Sequence, residues 1–74
     1  HYARMNGRQF IRAVSRLGRS RGIAVIADQK NGKGSHCRLY YGKHFTTVKH
    51  GQIGAGLLHK MLVDLGLNKT DLQD

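Results

Sequence analysis

The fold of this chain is decided by its central stretch, residues 35–50, which read SHCRLYYGKHFTTVKH. Two runs with the composition of β-strands flank Gly42-Lys43, and a Gly-X pair is typical of a two-residue type II′ hairpin turn. Such a turn fixes the strand register, so Tyr41 is expected to face His44 and each earlier residue to face its counterpart in the second run. The sequence therefore predicts an antiparallel hairpin in this stretch.

The two faces of the predicted hairpin differ in chemical character. Period-2 alternation places Cys37, Leu39 and Val48 on one side, where apolar side chains favour a core. The other side is expected to face water and carries six polar or aromatic residues: His36, Arg38, Tyr40, Phe45, Thr47 and Lys49. Tyr40 and Phe45 face each other there, and this aromatic pair has two interpretations: strand pairing, or base stacking and contact with a partner.

A helix and a strand are predicted before the hairpin. Asn6 and Gln9 have the spacing of a capping box, and apolar residues then recur on one helical face. With Gly18 as the C-cap, this helix covers about residues 7–17. The short, apolar, β-branched run at residues 23–27 predicts the first strand of the sheet.

A second helix is predicted after the hairpin. Residues 51–56 are rich in glycine and are expected to form a flexible connector. Apolar residues then recur with helical spacing over residues 58–65, and Leu57 widens this stripe. Gly66 ends the helix, and Leu67 occupies the position of the hydrophobic contact in a Schellman cap.

These elements predict a single α+β domain over residues 1–74. The order is helix, three strands, helix, and the economical arrangement is a three-stranded antiparallel sheet with both helices on one face. The other face is then available to a ligand. At the chain ends, residues 1–5 are expected to be disordered or vector-derived, with Met5 as the candidate natural start, and residues 68–74 form a tail with one short turn.

Composition narrows the class of partner. The chain has 74 residues, 13 Lys and Arg, four acidic residues that are all Asp, and a formal net charge of +9. Such a surplus attracts nucleic acid, an acidic protein or an anionic membrane surface. The longest apolar run, residues 23–27, falls far short of the roughly 20 residues that span a bilayer, so no membrane insertion is predicted. A single Cys excludes an internal disulfide and favours a reducing, cytoplasmic location.

His36 is the residue best placed to carry chemistry. It begins a strand, faces away from the predicted core, and lies opposite Lys49 and two residues from Arg38. Nearby cations favour neutral imidazole, which accepts a proton near pH 7. On RNA, such a group takes the proton of an attacking 2′-hydroxyl or, as the acid, protonates the departing 5′-oxygen. The alternative is an ordinary exposed histidine.

The loop before His36 has two interpretations. Lys33, Gly34 and Ser35 suit phosphate binding, because glycine permits close approach and successive backbone amides form an anion-binding nest. A plain connector between strands explains the same residues. The string of a P-loop is absent from the sequence.

No metal or cofactor site is predicted. His44, His50 and His59 lack the spacing of metal ligands and have no carboxylate near them in sequence. Solvated histidines are the simpler interpretation. Cys37 is expected to face the core, where a buried thiol is inert.

Two motifs in this order resemble a known family. Gly-Lys-Gly-Ser-His at residues 32–36, a hairpin, and Gly-x-Leu-x-x-x-Leu-x-x-Leu-Gly-Leu at residues 56–67 resemble the HicA toxins, the ribonuclease halves of HicA–HicB toxin–antitoxin modules. The likeness covers about residues 6–72. It implies a fold like a double-stranded-RNA-binding domain, α-β-β-β-α, and cleavage of mRNA without a metal cofactor. It also implies that His36 is the catalytic histidine and that a HicB-type antitoxin covers the catalytic surface.

The chain departs from that family at two positions. Residues 48–51 read VKHG where many relatives have a Pro-x-His-like string, and Ile23 stands where an aromatic residue often opens the first strand. Neither position touches the motif around His36. The departures therefore concern the connector and the first strand.

The combined hypothesis is a small, basic, cytoplasmic endoribonuclease toxin. His36 acts as general acid or base, and five further residues bind phosphate or RNA: Lys33, Gly34, Ser35, Arg38 and Lys49. Two alternatives are a non-catalytic double-stranded-RNA-binding-like module and an adaptor whose basic face docks an acidic protein. The RNA-binding alternative is weakened by one feature of the sequence. Such domains place Lys or Arg at the start of the last helix, whereas residues 54–57 of this chain carry no charge.

Overall fold

The computed structural model describes residues 5–29 and 36–72 of the chain. This part of the chain forms two helices, five strands and one short 3-10 helix. In chain order they are β1 (Met5–Asn6), α1 (Gly7–Arg21), β2 (Val25–Asp28), β3 (His36–Tyr41), β4 (His44–Lys49), β5 (Gln52–Ile53), α2 (Ala55–Leu65) and the 3-10 helix (Lys69–Leu72). The predicted α+β class, with two helices and a three-stranded antiparallel sheet, is confirmed.

The main sheet has the order β2-β3-β4, so β3 is its central strand. Pairing of β3 with β4 places Tyr41 opposite His44 at the turn and His36 opposite Lys49 at the far end. Gly42 opens the turn with φ of +62°, the left-handed value that the first turn position requires. The predicted hairpin register is confirmed along its whole length.

One face of the main sheet is covered by both helices. Cys37, Leu39 and Val48 are fully buried on this covered face, as the alternation predicts. The helices complete the core with six buried side chains: Phe10 and Val14 from α1, and Leu58, Met61, Leu62 and Leu65 from α2. The arrangement is consistent with the predicted order of helix, three strands and helix.

Helix α1 begins where the sequence predicts but ends later. The capping box is confirmed, because the Asn6 amide donates to the Gln9 side chain at 2.9 Å and the Gln9 amide donates to the Asn6 side chain at 2.8 Å. The helix continues through Gly18 to Arg21, and Gly22 is the C-cap with φ of +70°. The prediction that Gly18 ends the helix is therefore wrong.

Gly18 instead allows α1 to approach the sheet closely. A Cβ at this position would overlap the Val25 side chain and lie 2.7 Å from the carbonyl oxygen of Ile23. The amide of Ile23 also donates to the Gly18 carbonyl at 2.8 Å, so Ile23 belongs to the helix cap. For this reason the first strand begins at Val25 and ends at Asp28, rather than covering residues 23–27.

A second, two-stranded sheet joins the start of the chain to the connector before α2. Met5 pairs with Ile53, and both side chains are buried. The expected disordered segment, residues 1–5, therefore does not include Met5, and residues 1–4 lie outside the described part. The expectation of a flexible connector at residues 51–56 is also wrong, because burial of Ile53 and pairing with β1 hold it in place.

The end of α2 follows the predicted Schellman pattern. Gly66 has φ of +72°, and the Leu67 amide donates to the Leu62 carbonyl at 2.8 Å. Leu67 is buried, as the motif's hydrophobic contact requires. Leu57 is exposed, so the prediction that it widens the buried stripe is wrong, because it lies about 100° around the helix from Leu58.

The predicted tail, as far as it is described, packs against α1. Its short turn is the 3-10 helix Lys69–Leu72. Asp71 accepts hydrogen bonds from the Asn68 amide at 2.8 Å and from the Arg21 guanidinium at 2.8 Å. The ion pair with Arg21 therefore fixes this turn at the end of α1.

Candidate functional site

The face of the main sheet opposite the helices presents a mixed surface, which we call the open face. Strand register assigns eight residues to it: Ile26 and Asp28 from β2, His36, Arg38 and Tyr40 from β3, and Phe45, Thr47 and Lys49 from β4. Three of these side chains are basic or imidazole groups and three are large and apolar. The open face therefore offers both charge and apolar surface to a ligand.

His36 lies at one end of the open face. It is the first residue of the central strand, is exposed, and pairs in register with Lys49 of β4. Arg38 follows two residues along and is half-buried. Since alternate residues of a strand share a face, the imidazole, the guanidinium and the ammonium group lie on one side of the sheet, as predicted.

The six predicted site residues divide into two groups. The structure brings together His36, Arg38 and Lys49 on the open face. The remaining three residues, Lys33, Gly34 and Ser35, lie outside the described residues. Because the described chain resumes at His36, they precede this end of the open face directly in sequence.

An aromatic cluster lies farther along the open face. The ring centroids of Tyr40 and Phe45 are 5.8 Å apart with an interplanar angle of 42°, so the predicted cross-strand pair is in contact. The Arg38 guanidinium carbon lies 4.9 Å from the centroid of the Phe45 ring. This is the geometry of a cation–π contact.

Sequence reasoning missed Ile26 as a member of this cluster. Ile26 is the register partner of Tyr40 in β2, and 58% of its surface is exposed. Extending the alternation from β3 to the neighbouring strand would have identified it, but only once the register of β2 was known. The apolar part of the open face therefore extends across all three strands.

Acidic groups are largely kept away from the open face. Asp28, the register partner of Arg38, is the acidic residue that the described part of the chain places there. Asp64 accepts hydrogen bonds from Lys60 at 3.1 Å and from the Thr46 hydroxyl at 2.9 Å, which lower the pKa of its carboxyl group. The Asn68 amide and the Arg21 guanidinium likewise lower the pKa of Asp71.

The described residues provide neither a metal cluster nor a reactive thiol. Within residues 5–29 and 36–72, no group of three His, Cys, Asp or Glu side chains is arranged to hold a metal ion. Cys37 is fully buried, and burial raises the pKa of its thiol. The described residues of the open face therefore offer the imidazole of His36 and the cations of Arg38 and Lys49 to an anionic ligand, beside the Asp28 carboxylate and the Tyr40 hydroxyl.

A separate cavity of about 340 Å³ lies at the turn end of the hairpin. Its lining includes Arg21, Tyr41, His44 and Gly66. The Arg21 guanidinium is already engaged by Asp71 at 2.8 Å and approaches the Tyr41 hydroxyl at 3.5 Å. Five strand residues, or about 17 Å, separate this end of β3 from His36. The cavity is thus distinct from the open face.

Comparison with known proteins adds no family assignment. No family model matches the chain, and neither a curated protein nor a solved structure does. Among the described helices, none combines the length and apolar character needed to cross a membrane. A functional assignment therefore rests on the chemistry of the open face and on the motifs of the sequence.

Proposed function

We propose that this chain is the toxin of a bacterial type II toxin–antitoxin system, a HicA-type endoribonuclease that cleaves mRNA by histidine acid–base catalysis without a metal. The observation that carries the proposal is the placement of His36, exposed on the central strand, opposite Lys49 and beside Arg38. A net charge of +9 draws RNA to this surface. The cytoplasm, where mRNA is available, is the proposed location.

The proposed reaction uses the 2′-hydroxyl of the RNA as nucleophile. As general base, His36 removes the proton of this hydroxyl, and the oxygen attacks the adjacent phosphorus. The bond from phosphorus to the 5′-oxygen breaks, and that oxygen takes a proton from an acid. The products are a 2′,3′-cyclic phosphate and a 5′-hydroxyl. If His36 is instead the acid, it protonates the departing 5′-oxygen, and the proton of the 2′-hydroxyl passes to a separate base such as water.

The neighbouring basic groups stabilise charge and hold the substrate. Negative charge develops on the phosphoryl oxygens in the transition state, and preorganised cations stabilise it. Arg38 and Lys49 take this role on the open face. Lys33, Gly34 and Ser35 position a phosphate beside His36 through backbone amides and the Lys ammonium.

The same proposal assigns a fold type and a partner. The α+β arrangement supports a fold like that of double-stranded-RNA-binding domains, with the sheet face used for chemistry. A HicB-type antitoxin neutralises the toxin by covering the open face. The exposed, basic character of that face supports such a partner, because an inhibitor can reach His36 and Lys49 together.

A non-catalytic double-stranded-RNA-binding-like module is the second candidate. It accounts equally well for the charge and the α+β arrangement. Domains of that type bind phosphates across a groove with Lys or Arg at the start of the last helix. The start of α2 has Gly54 as N-cap and no acidic or basic residue before His59, which favours the catalytic proposal.

The decisive experiment compares RNA cleavage by the wild-type chain, His36→Ala and His59→Ala, all in EDTA. His59 is an exposed histidine on α2, in the layer away from the open face, and is the matched control. We expect His36→Ala to lose roughly 10²–10⁴-fold in cleavage rate, the usual contribution of a general acid or base. His59→Ala should cleave like the wild type, and all three should have the same circular dichroism spectrum.

Two results would contradict the proposal. One is equal cleavage by His36→Ala and the wild type, which would remove His36 from the chemistry. The other is duplex-selective RNA binding by the wild type without cleavage, which would establish the binding module. Cyclic phosphate ends on the products would support the proposed route.

A further inference from the structure

We propose that Phe45, with Tyr40 and Ile26 beside it, forms a subsite that binds one unpaired base of single-stranded RNA by stacking. This inference deepens the proposed function and rests on it for the identity of the ligand as RNA. It adds a substrate class, single-stranded rather than duplex RNA. It also adds a residue, Phe45, that holds the RNA at a point distant from the bond that is cut.

The first observation is that strand pairing leaves much of the cluster uncovered. Phe45 contacts Tyr40, yet 49% of its surface remains exposed, as does 58% of that of Ile26. A cross-strand pair needs only the contact between the two side chains. The exposed apolar surface that remains contributes nothing to the core, which lies on the other side of the sheet.

The second observation is the position of Arg38 relative to the Phe45 ring. The guanidinium carbon lies over the Phe45 ring, 4.9 Å from its centroid, so a cation is held against the aromatic surface. Binding sites for single-stranded nucleic acid combine aromatic side chains for the bases with cations for the backbone. Here both elements are in contact on one surface.

The geometry of the ring pair allows a given base to stack on only one of the two rings. Because the Tyr40 and Phe45 planes are inclined by 42°, a flat base cannot be parallel to both rings at once. Phe45 is the more exposed of the two and is therefore the stacking surface. Tyr40 and Ile26 border the base as apolar walls.

An aromatic surface of this kind selects single strands. In an RNA duplex the base faces are stacked inside the helix, whereas unpaired bases can turn out and stack on aromatic side chains. Charge complementarity also favours nucleic acid as the occupant. Two cations, Arg38 and Lys49, lie on this face, against one carboxylate, Asp28, among the described residues.

The distance along the strand separates this subsite from the chemistry. Phe45 lies four residues from Lys49, the register partner of His36, which corresponds to about 13 Å. Phe45 is therefore a positioning residue, which sets where the strand lies rather than how fast a bound phosphate reacts.

The test measures binding without cleavage. A fluorescein-labelled single-stranded 12-mer with 2′-O-methyl groups cannot be attacked by its own 2′-oxygen, so its anisotropy reports affinity alone. We expect Phe45→Ala to bind it roughly 5- to 150-fold more weakly than the wild type, the usual loss for one stacked base. Phe45→Tyr should restore binding because it restores the ring, while Phe45→Leu should not.

The matched control is Val63→Ala. Val63 lies on α2, away from the open face, and is 62% exposed. The substitution removes exposed apolar surface there, so the affinity of this variant for the 12-mer should equal that of the wild type. A 12-mer that carries 2-aminopurine gives a direct readout of stacking. Its fluorescence should change on binding to the wild type and to Phe45→Tyr, because the base leaves its neighbours in the strand for the ring, and should not change on binding to Phe45→Leu.

Several results would overturn the inference. Wild-type affinity in both Phe45→Ala and Phe45→Leu would exclude a ring-stacking subsite, and tighter binding of duplex than of single strand would exclude the substrate class. Self-association through the open face without RNA binding would assign it to a second copy of the chain. If Phe45 controls binding but His36→Ala cleaves normally, the assignment of catalysis to His36 fails and the subsite stands.

Discussion

The two faces of strand β3 carry alternate residues of the same short segment, and they differ in burial: one face packs in the core and the other faces solvent. Cys37, Leu39 and Tyr41 point to the helices and are buried, while the residues between them point away and keep part of their surface exposed. Burial of apolar surface stabilises the fold, and the same groups on the exposed side gain little. The difference teaches that apolar residues on the open face add little to the stability of the fold, so the two faces can be tested separately.

The two faces of the sheet also differ in how their polar side chains find hydrogen-bond partners. Thr46 is buried there, and its hydroxyl donates to the Asp64 carboxylate at 2.9 Å. A buried hydroxyl without a partner would cost free energy, and this hydrogen bond removes that cost. On the open face, by contrast, polar groups such as those of His36 and Lys49 remain accessible to solvent.

The largest effect on stability is expected for Leu39→Ala. Leu39 is fully buried in the central strand, and loss of its side chain leaves a cavity that costs about 2–5 kcal/mol. Ile26→Ala, on the open face of the neighbouring strand, should change the free energy of unfolding by no more than about 0.5 kcal/mol. Urea denaturation of both variants checks this contrast. Equal losses would mean that the two faces contribute alike to stability.

A smaller effect is expected where α1 meets the covered face. Gly18→Ala introduces a methyl group into the space of Val25, and such overpacking costs about 1–3 kcal/mol. Gly56→Ala is the control, since its Cβ meets no atom within 4 Å and Ala favours a helix over Gly by about 0.5–1 kcal/mol. Thermal unfolding should show a lower midpoint for the first variant and a higher one for the second. The same sign in both would contradict close packing at Gly18.

The smallest of the expected effects is a loss of stability in acid, caused by protonation of the Asp71 carboxylate between the 3-10 helix and α1. The pKa of Asp71 is lowered in the fold by the Asn68 amide and Arg21, so the folded state binds its proton less readily than the unfolded chain does. The ionised Asp71 carboxylate therefore adds to the free energy of unfolding above about pH 3.9, the ordinary pKa of Asp in an unfolded chain. This stabilisation is lost as the pH falls through the lower pKa that Asp71 has in the folded state. Asp71→Asn should therefore be less stable than the wild type at pH 6 and approach it near pH 3.

Urea midpoints at both pH values measure this convergence. Thr47→Ala serves as the control because Thr47 is exposed on the open face, has no group that titrates in this range, and leaves Asp71 and its partners intact. It should lose stability in acid like the wild type does. A constant difference between Asp71→Asn and the wild type at all pH values would show that the carboxylate charge does not stabilise the 3-10 helix.

Local patterns were sufficient to predict the hairpin and the composition of most of the open face. The turn at Gly42-Lys43 sets the register, and the register places His36 opposite Lys49. These relations follow from alternation over neighbouring residues, so no long-range information is needed. Ile26 was missed because its placement depends on how β2 aligns with β3, which no short turn specifies.

The wrong predictions share a physical cause, which is contact between distant parts of the chain. Gly18 was taken as a helix end because glycine often occupies that position, whereas its role is to admit Val25 of β2. The connector at residues 51–56 was expected to be flexible because it is rich in glycine. It is held by Met5, which lies far away in sequence. Glycine content describes local freedom, and packing decides whether that freedom is used.

The pairing of Met5 with Ile53 bears on how the chain is made. A ribosome adds residue 53 after residue 5 and after all three strands of the main sheet, so β1 has no pairing partner while those strands are synthesised. Burial of Met5 against Ile53 therefore has to wait until residue 53 has been added. Because α2 also follows Ile53, nascent chains that stop before this point lack both the partner of β1 and the second helix.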